Sequence, residues 1–416
     1  MSKRRVVVTG LGAITPVGND VATTWQSLLE GRSGAGPITK FDAGPFAVKF
    51  ACEVKEFDPF AYMDRKEAKR ADLFTQYAVA TAVQAMRDAK LAGTNAYDPN
   101  RLGVIVGSGI GGLATMEQQH DTYRDRGPSK ISPFFIPMFI SDIAAGIVSM
   151  QFNARGPNYA TVSACATSAH AIGDAYRAIQ YGDADLMITG GAEAAVTPMS
   201  IGGFANMRAL SERNDEPLTA SRPFDATRDG FVMGEGSATI VLEELEHAKA
   251  RGARIYGEVV GYRASGDAYH LTGQLPEHEG LQRAMRGALA DAGMRPDEVD
   301  YVNAHGTSTP LNDSNEAMAI AKVFGDATPK LSVSSTKSMT GHMLGAAGSV
   351  EFIASLLSIR DQVVPPTINH CTPDPACGDL DVTPNKARPR EVRAALSNSA
   401  GFGGHNVSLV VKRYEE

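Results

Sequence analysis

Short β-branched runs alternate with Ala-rich segments of helical period along nearly all of this 416-residue chain. That alternation leaves few folds open, because strands and helices in turn bury each other best as stacked α/β layers. The runs predict strands at residues 5–10, 102–107, 186–190, 237–242, 257–264, 299–304, 331–335 and 394–397. Helices are predicted at 72–89, 166–180, 280–292, 313–324 and 345–361. In the third of these, Leu281, Met285 and Leu289 recur every four residues and make one apolar stripe.

The pattern also hints at duplication. Two segments, one starting at Ala166 and one at Ala346, share small residues followed by an amphipathic helix. The Gly-rich end of the run at Ile188 has an echo at Ser399. The predicted halves are therefore 1–250 and 251–416, meeting in the charged stretch 243–254 with no low-complexity linker.

At 43% hydrophobic and 21% charged, the chain is an ordinary globular one, and its net charge of -7 argues against general nucleic-acid binding. The four cysteines, Cys52, Cys165, Cys371 and Cys377, form no disulfide framework. Cys371 and Cys377 lack a second ligand pair for zinc, and no metal site is predicted. The residues from Met1 to Val6 run straight into a strand without a leader, and no stretch is apolar enough to span a membrane. A reducing cytoplasm fits best.

Chemistry concentrates at Cys165. An apolar approach ends in tiny side chains, and a helix follows at once, so the thiol meets a helix N-terminus that favours thiolate. His305 follows a strand, and His342 follows another through a polar loop. Strand ends are where α/β sites gather. Two neutral imidazoles could donate to one developing oxyanion. Lys337, five residues before His342, is expected to keep that histidine neutral. Glu351, on the next helix, is a candidate partner for Lys337 and is grouped with the substrate-side residues. The loop Gly401, Phe402, Gly403, Gly404 lets N–H groups approach a substrate oxygen, with Phe402 as a mobile plug.

Residues 107–112 match G-x-G-x-x-G. A dinucleotide role is rejected, because no clear helix opens after the loop and no acidic residue stands about 20 positions on.

Together these motifs resemble the β-ketoacyl-acyl-carrier-protein synthases, the elongating condensing enzymes of the thiolase superfamily. The matching segments run from Arg5 through the Cys165 turn, Ser221 to Asp225, Asp229 to Gly236, Asn303 to Asp313, Lys337 to His342, and Gly401 to Gly404. The resemblance implies a thiolase-like α/β fold, with two duplicated halves, each a five-stranded mixed sheet, in αβαβα layers. It implies a homodimer, acyl carrier protein as partner, and no cofactor. Cys165 would hold the acyl chain as a thioester, and His305 and His342 would stabilise an enolate as carbon dioxide leaves malonyl-carrier protein. The N–H groups of Cys165 and Phe402 would form the oxyanion hole. The resemblance further makes Ile110 and Phe204 lining of the acyl pocket, with Phe135 reaching in from the partner subunit. Thr272, Thr307 and Thr309 become pantetheine contacts, and Lys66, Lys69 and Arg70 the carrier-docking patch. His405 stands where many members carry Thr, and Ala166 where many type II enzymes carry Thr.

Other members of the superfamily fit less well. A degradative thiolase would carry a second Cys in the C-terminal Gly-rich loop, an initiating synthase would pair His with Asn, and a chain-length partner would lack Cys165. A ketosynthase of a dissociated polyketide pathway shares the whole constellation. A carrier-binding scaffold would need an inert Cys165.

Overall fold

A computed structural model describes residues 3–94 and 96–416. Met1 and Ser2, where a leader would begin, lie outside the described residues. Ten strands make one mixed sheet: β1 Val6–Ile14, β2 Leu102–Gly107, β3 Asn158–Tyr159, β4 Leu186–Glu193, β5 Gly236–Glu244, β6 Gly257–Gly266, β7 Tyr301–Asn303, β8 Ser332–Ser334, β9 Ala394–Gly401 and β10 His405–Lys412. Their spatial order is β8-β7-β9-β10-β6-β1-β5-β4-β2-β3.

Read outward from the central β6/β1 pair, the order repeats. On each side the first strand pairs antiparallel with the fifth, the fifth antiparallel with the fourth, and the fourth parallel with the second, which is parallel to the third. The two sets of five join where Val6 pairs with Val259. The two Ala-led segments of the sequence occupy equivalent places, between third and fourth strands. Each opens with one 3-10 turn, Ala164–Ala166 or Leu344–Ala346, and continues as a helix, Thr167–Tyr181 or Ala347–Asp361.

These two helices touch strands of both sets and pack on each other. The fit is close: a Cβ on Gly348 would stand 3.0 Å from that of Ala169, and Ser349 N–H donates to Ser168 Oγ at 3.0 Å. One apolar core surrounds this pair. A second lies between the outer helix Leu73–Asp88 and the first set of strands. A third lies between Glu279–Ala292, Pro310–Phe324 and the second set. The layers therefore run helix, sheet, helix, sheet, helix. Burial on both faces explains why β1, and β4 up to Ala192, carry apolar or small residues rather than an alternating pattern. Leu281, Met285 and Leu289 are all buried, as their spacing predicts.

Several elements depart from expectation. The helix predicted from Asp313 begins at Pro310, where a proline suits the first turn. β10, which starts directly after Gly404, is a strand the sequence runs did not predict. The helices Val21–Leu29, Leu113–Arg126 and Ile143–Phe152 carry weak or unassigned patterns in the sequence. No helix among the described residues is long and apolar enough to cross a membrane.

Candidate active site

Cys165 lies in the 3-10 turn that opens the central helix Thr167–Tyr181. Ala164 before it adopts φ 50°, a costly conformation for a residue with a side chain, so the thiol sits on a sharp, strained turn. Gly401 rests on this turn: a Cβ there would meet Ser163 O at 2.7 Å and Cys165 N at 3.2 Å. Only glycine permits that approach, and it brings the Phe402 amide to the thiol. Burial pushes the Cys165 thiol up to about 12, against the opposing charge of Lys337 and the Phe402 N–H. The helix N-terminus thus does not leave a thiolate at rest, as the sequence suggested, because desolvation of a full charge outweighs a partial one.

His305 follows β7 and is buried. Its own N–H and that of Gly306 donate to Glu316 Oε1 at 2.8 Å and Oε2 at 2.7 Å. One carboxylate thereby fixes the backbone of the histidine loop. Lys337 is equally buried. Its Nζ lies 3.3 Å from His305 Nδ1 and pairs with Glu351. The lysine is therefore hydrogen-bonded to His305, and its charge also lowers His342, as the sequence predicts. An ammonium has only protons to give, so Nδ1 accepts and Nε2 bears the imidazole hydrogen. Glu351 stands behind the histidines, off the cavity wall, which corrects its grouping with substrate contacts. Burial raises its pKa, and Lys337 opposes this.

His342 follows the short helix Lys337–Thr340 rather than a plain loop. Its backbone is clamped on both sides: N–H donates to Val232 O at 2.7 Å, and O accepts from Gly234 N–H at 2.9 Å. The His305 and His342 rings meet edge to face with centroids 5.3 Å apart. Burial and then the Lys337 charge hold both well below the usual histidine range, so both imidazoles are neutral.

Cys165, His305, His342 and Phe402 line one cavity of ≈ 400 Å³, together with Phe204, Thr272, Thr307 and Thr309. The two threonine hydroxyls are 2.9 Å apart. Phe204 packs edge-on to Phe231 at 5.4 Å and lies 6.3 Å from Phe402. Ile110 does not line this cavity; it packs beside it, in the apolar cluster that includes Cys165, Phe204 and Leu344. Phe135 is stacked on Phe139 in the helix Phe135–Phe139, away from the cavity of its own chain. Lys66, Lys69 and Arg70 are exposed, with Arg70 over the Phe134 ring at 4.3 Å.

Glu316 and Glu193 were missed at the sequence level. Glu193 is an acidic residue among Gly and Ala, a mismatch that is its one local signal, whereas Glu316 follows the polar run Asn312 to Asn315 and carries none. The Gly-rich loop 107–112 does precede a helix, Leu113–Arg126, contrary to one ground for rejecting a dinucleotide site. Its amides are nevertheless occupied: Gly109 and Ile110 N–H both donate to Glu193.

Two family models match in chain order, "Beta-ketoacyl synthase, N-terminal domain" over residues 3–248 and "Beta-ketoacyl synthase, C-terminal domain" over 256–370. The chain is 55% identical over 415 residues to a 3-oxoacyl-[acyl-carrier-protein] synthase 2 of Synechocystis sp., covering 100% of this chain and 99% of the relative. It is 54% identical to the protein of that name from Coxiella burnetii, covering 99% of each. A crystal structure of a β-ketoacyl synthase from Burkholderia phymatum STM815 superposes with TM-score 0.93 at 36% identity, covering 99% of this chain and 100% of that one. AntDE:AntF, a type II PKS acyl-carrier protein in complex with its ketosynthase bound to the hexaketide, gives TM-score 0.91 at 36% identity, with 100% of both chains covered. Matches that extend over nearly the whole chain make this protein a member of the β-ketoacyl synthase family.

Proposed function

We propose that this chain is an elongating 3-oxoacyl-acyl-carrier-protein synthase acting in fatty-acid synthesis. The observation that carries the reading is the convergence of Cys165, His305 and His342 on one cavity, with both imidazoles neutral. In the first half-reaction Cys165 Sγ attacks the acyl thioester of a carrier protein. The thiol proton leaves with the carrier's sulfur, so the raised thiol pKa is met at the moment of transfer rather than at rest. In the second, malonyl-carrier protein enters the same cavity. His305, through Nε2–H, and His342 donate to its thioester oxygen as the C–C bond to the carboxylate breaks and carbon dioxide leaves. The enolate carbon then attacks the acyl carbonyl on Cys165. The developing oxyanion lies against the Cys165 and Phe402 amides, and collapse expels Sγ as a thiolate, which takes a proton from water, and releases 3-oxoacyl-carrier protein.

Thr307, Thr309 and Thr272 suit a pantetheine arm, because they set hydroxyls beside Leu311 and Met207 in the same cavity. Lys66, Lys69 and Arg70 suit an acidic carrier, since none of the three forms an ion pair among the described residues. The halves 1–250 and 251–416 are read as the duplicated units, with the nucleophile in one and both histidines in the other. A homodimer is inferred from the edge strand β3. There, exposed Tyr159 and Val162, with Phe134, Ile136 and Ile140 also exposed, make apolar surface that an isolated chain would leave in water. That arrangement would bring Phe135 toward the partner's acyl pocket. The cytoplasm is the inferred compartment.

Condensation of malonyl-carrier protein with acyl-carrier proteins of six to sixteen carbons, wild type against Cys165→Ala, tests the reading. Product across medium and long chains, lost in the variant, is expected. No product from any simple acyl chain would move the assignment to a dissociated polyketide ketosynthase, a reading disfavoured by 36% identity to AntDE:AntF against 55% to the Synechocystis synthase.

A further inference from the structure

The loop after β2 has the spacing of a phosphate cradle, yet the proposed chemistry brings it no phosphate. Its donors instead hold Glu193, the last residue of β4, whose side chain is completely buried. Oε1 accepts from Ser108 Oγ at 2.8 Å and from Ile110 N–H at 3.1 Å. Oε2 accepts from Gly109 N–H at 2.8 Å and from Gly345 N–H at 2.9 Å. Burial raises the Glu193 pKa, and these four donors oppose it. Three of the partners are amides that can only donate, so the ionised carboxylate, which accepts from all four, is the form this site satisfies best.

The packing admits nothing larger. A Cβ on Gly109 would stand 2.8 Å from Oε2, and one on Gly345 would stand 2.6 Å from it. One carboxylate therefore joins the end of β4, the loop that carries Ile110, and the turn Leu344–Ala346 just beyond His342. Ile110 and Leu344 belong to the same apolar cluster as Cys165.

We propose that Glu193 is a positioning residue that sets acyl-chain length, holding Ile110 and Leu344 at a fixed spacing around Cys165. The inference rests on the reading of Ile110 as acyl-pocket wall. A wall whose backbone is tied to a buried anion cannot retreat without leaving that anion under-solvated, which is costly. Chains that need the wall to move are thus rejected.

The test is the rate of Cys165 acylation from carrier-bound chains of six to sixteen carbons, for wild type, Ser108→Ala, Glu193→Asp, Glu193→Gln and Ile110→Phe. One methylene of fit in an apolar pocket is worth roughly tenfold or more, so Ser108→Ala should change the long-to-short ratio by about fivefold. Glu193→Gln should change it further, and Glu193→Asp less than Gln. Alkylation by iodoacetamide supplies a second readout. Glu193→Gln removes a negative charge that disfavours the Cys165 thiolate and should speed alkylation at neutral pH. Ser108→Ala keeps the charge and should not, a split that mere loosening would not produce. Wild-type ratios in Ser108→Ala and Glu193→Asp, with a shifted ratio in Ile110→Phe, would remove Glu193 from selectivity and leave the pocket reading intact. An unshifted ratio in Ile110→Phe would overturn the pocket reading and the proposal with it.

Discussion

The Lys337 ammonium lies 3.3 Å from Nδ1 of His305, buried with it beneath the reaction cavity. This single contact sets the histidine tautomer, and its charge helps to keep both imidazoles neutral. It also explains how a lysine can be buried: Glu351 on the central helix Ala347–Asp361 neutralises it.

Breaking that ion pair from one side should be severe. Glu351→Ala leaves a buried, uncompensated ammonium, and loss of one partner of such a pair costs about 3–5 kcal/mol. Denaturant unfolding should show a loss of that order. Lys337→Met with Glu351→Leu should recover much of the stability but none of the condensation activity. A double variant as unstable as the single one would show that the pair contributes more than mutual neutralisation.

Neutral histidines predict a particular acid limb. Both pKa values lie well below the ordinary 6.5, so donor capacity at Nε2 is unchanged through that value. Malonyl decarboxylation should therefore stay level as pH falls from 8 to 6 and decline only below that. The sign for stability is the reverse of a paired histidine. These groups take up protons less readily folded than unfolded, so their contribution is complete above pH 6.5 and is lost as pH falls below it. A midpoint in the decarboxylation rate near 6.5 would contradict the assignment.

The buried thiol predicts a base limb. With Cys165 pushed up to about 12, the thiolate fraction should grow with pH across the accessible range. Iodoacetamide alkylation should rise about tenfold per pH unit from 7 to 9 without levelling. A plateau near pH 8 would mean that the helix N-terminus outweighs burial after all.

Gly401→Ala should separate the two half-reactions. Its Cβ would press on Ser163 O at 2.7 Å and displace the Phe402 amide. Loss of one oxyanion donor costs roughly 10²–10³ in rate. Acyl transfer and condensation should fall on that scale, while malonyl decarboxylation, which uses His305 and His342, should persist. Equal loss of both activities would mean that the loop serves the histidines as well.

Much of the site was legible because its signals are local. Small residues around Cys165, a strand running into His305, and the Gly-rich loop at Phe402 are each contained in a few consecutive residues. The Lys337–Glu351 pair was also within reach, since it spans only part of one turn and the following helix. What was not legible were relations that depend on neighbours from elsewhere in the chain. The charge of Lys337 lowers His342 as its place in the sequence predicts, but the parallel pairing of β7 and β8 also brings it within hydrogen-bond reach of His305, a contact no local pattern shows. Glu351 was grouped with substrate contacts, but the fold sets it behind the histidines as the partner of Lys337.

The sequence by itself determined the alternating α/β layers, the duplicated helices behind Ala166 and Ala346, and Cys165, His305, His342 and Phe402 as the residues to bring together, and they line one cavity. Periodicity, turn residues and motif spacing act over a few residues, and each is visible without a partner. Only the tertiary structure decided protonation and restraint. Burial raises the Cys165 thiol, Lys337 enforces one His305 tautomer, Glu316 anchors the His305 loop, and Glu193 occupies the amides of a loop that spacing alone would give to a phosphate. Each effect depends on the distance between groups far apart in sequence and on the water removed from around them. Neither quantity exists until the layers close.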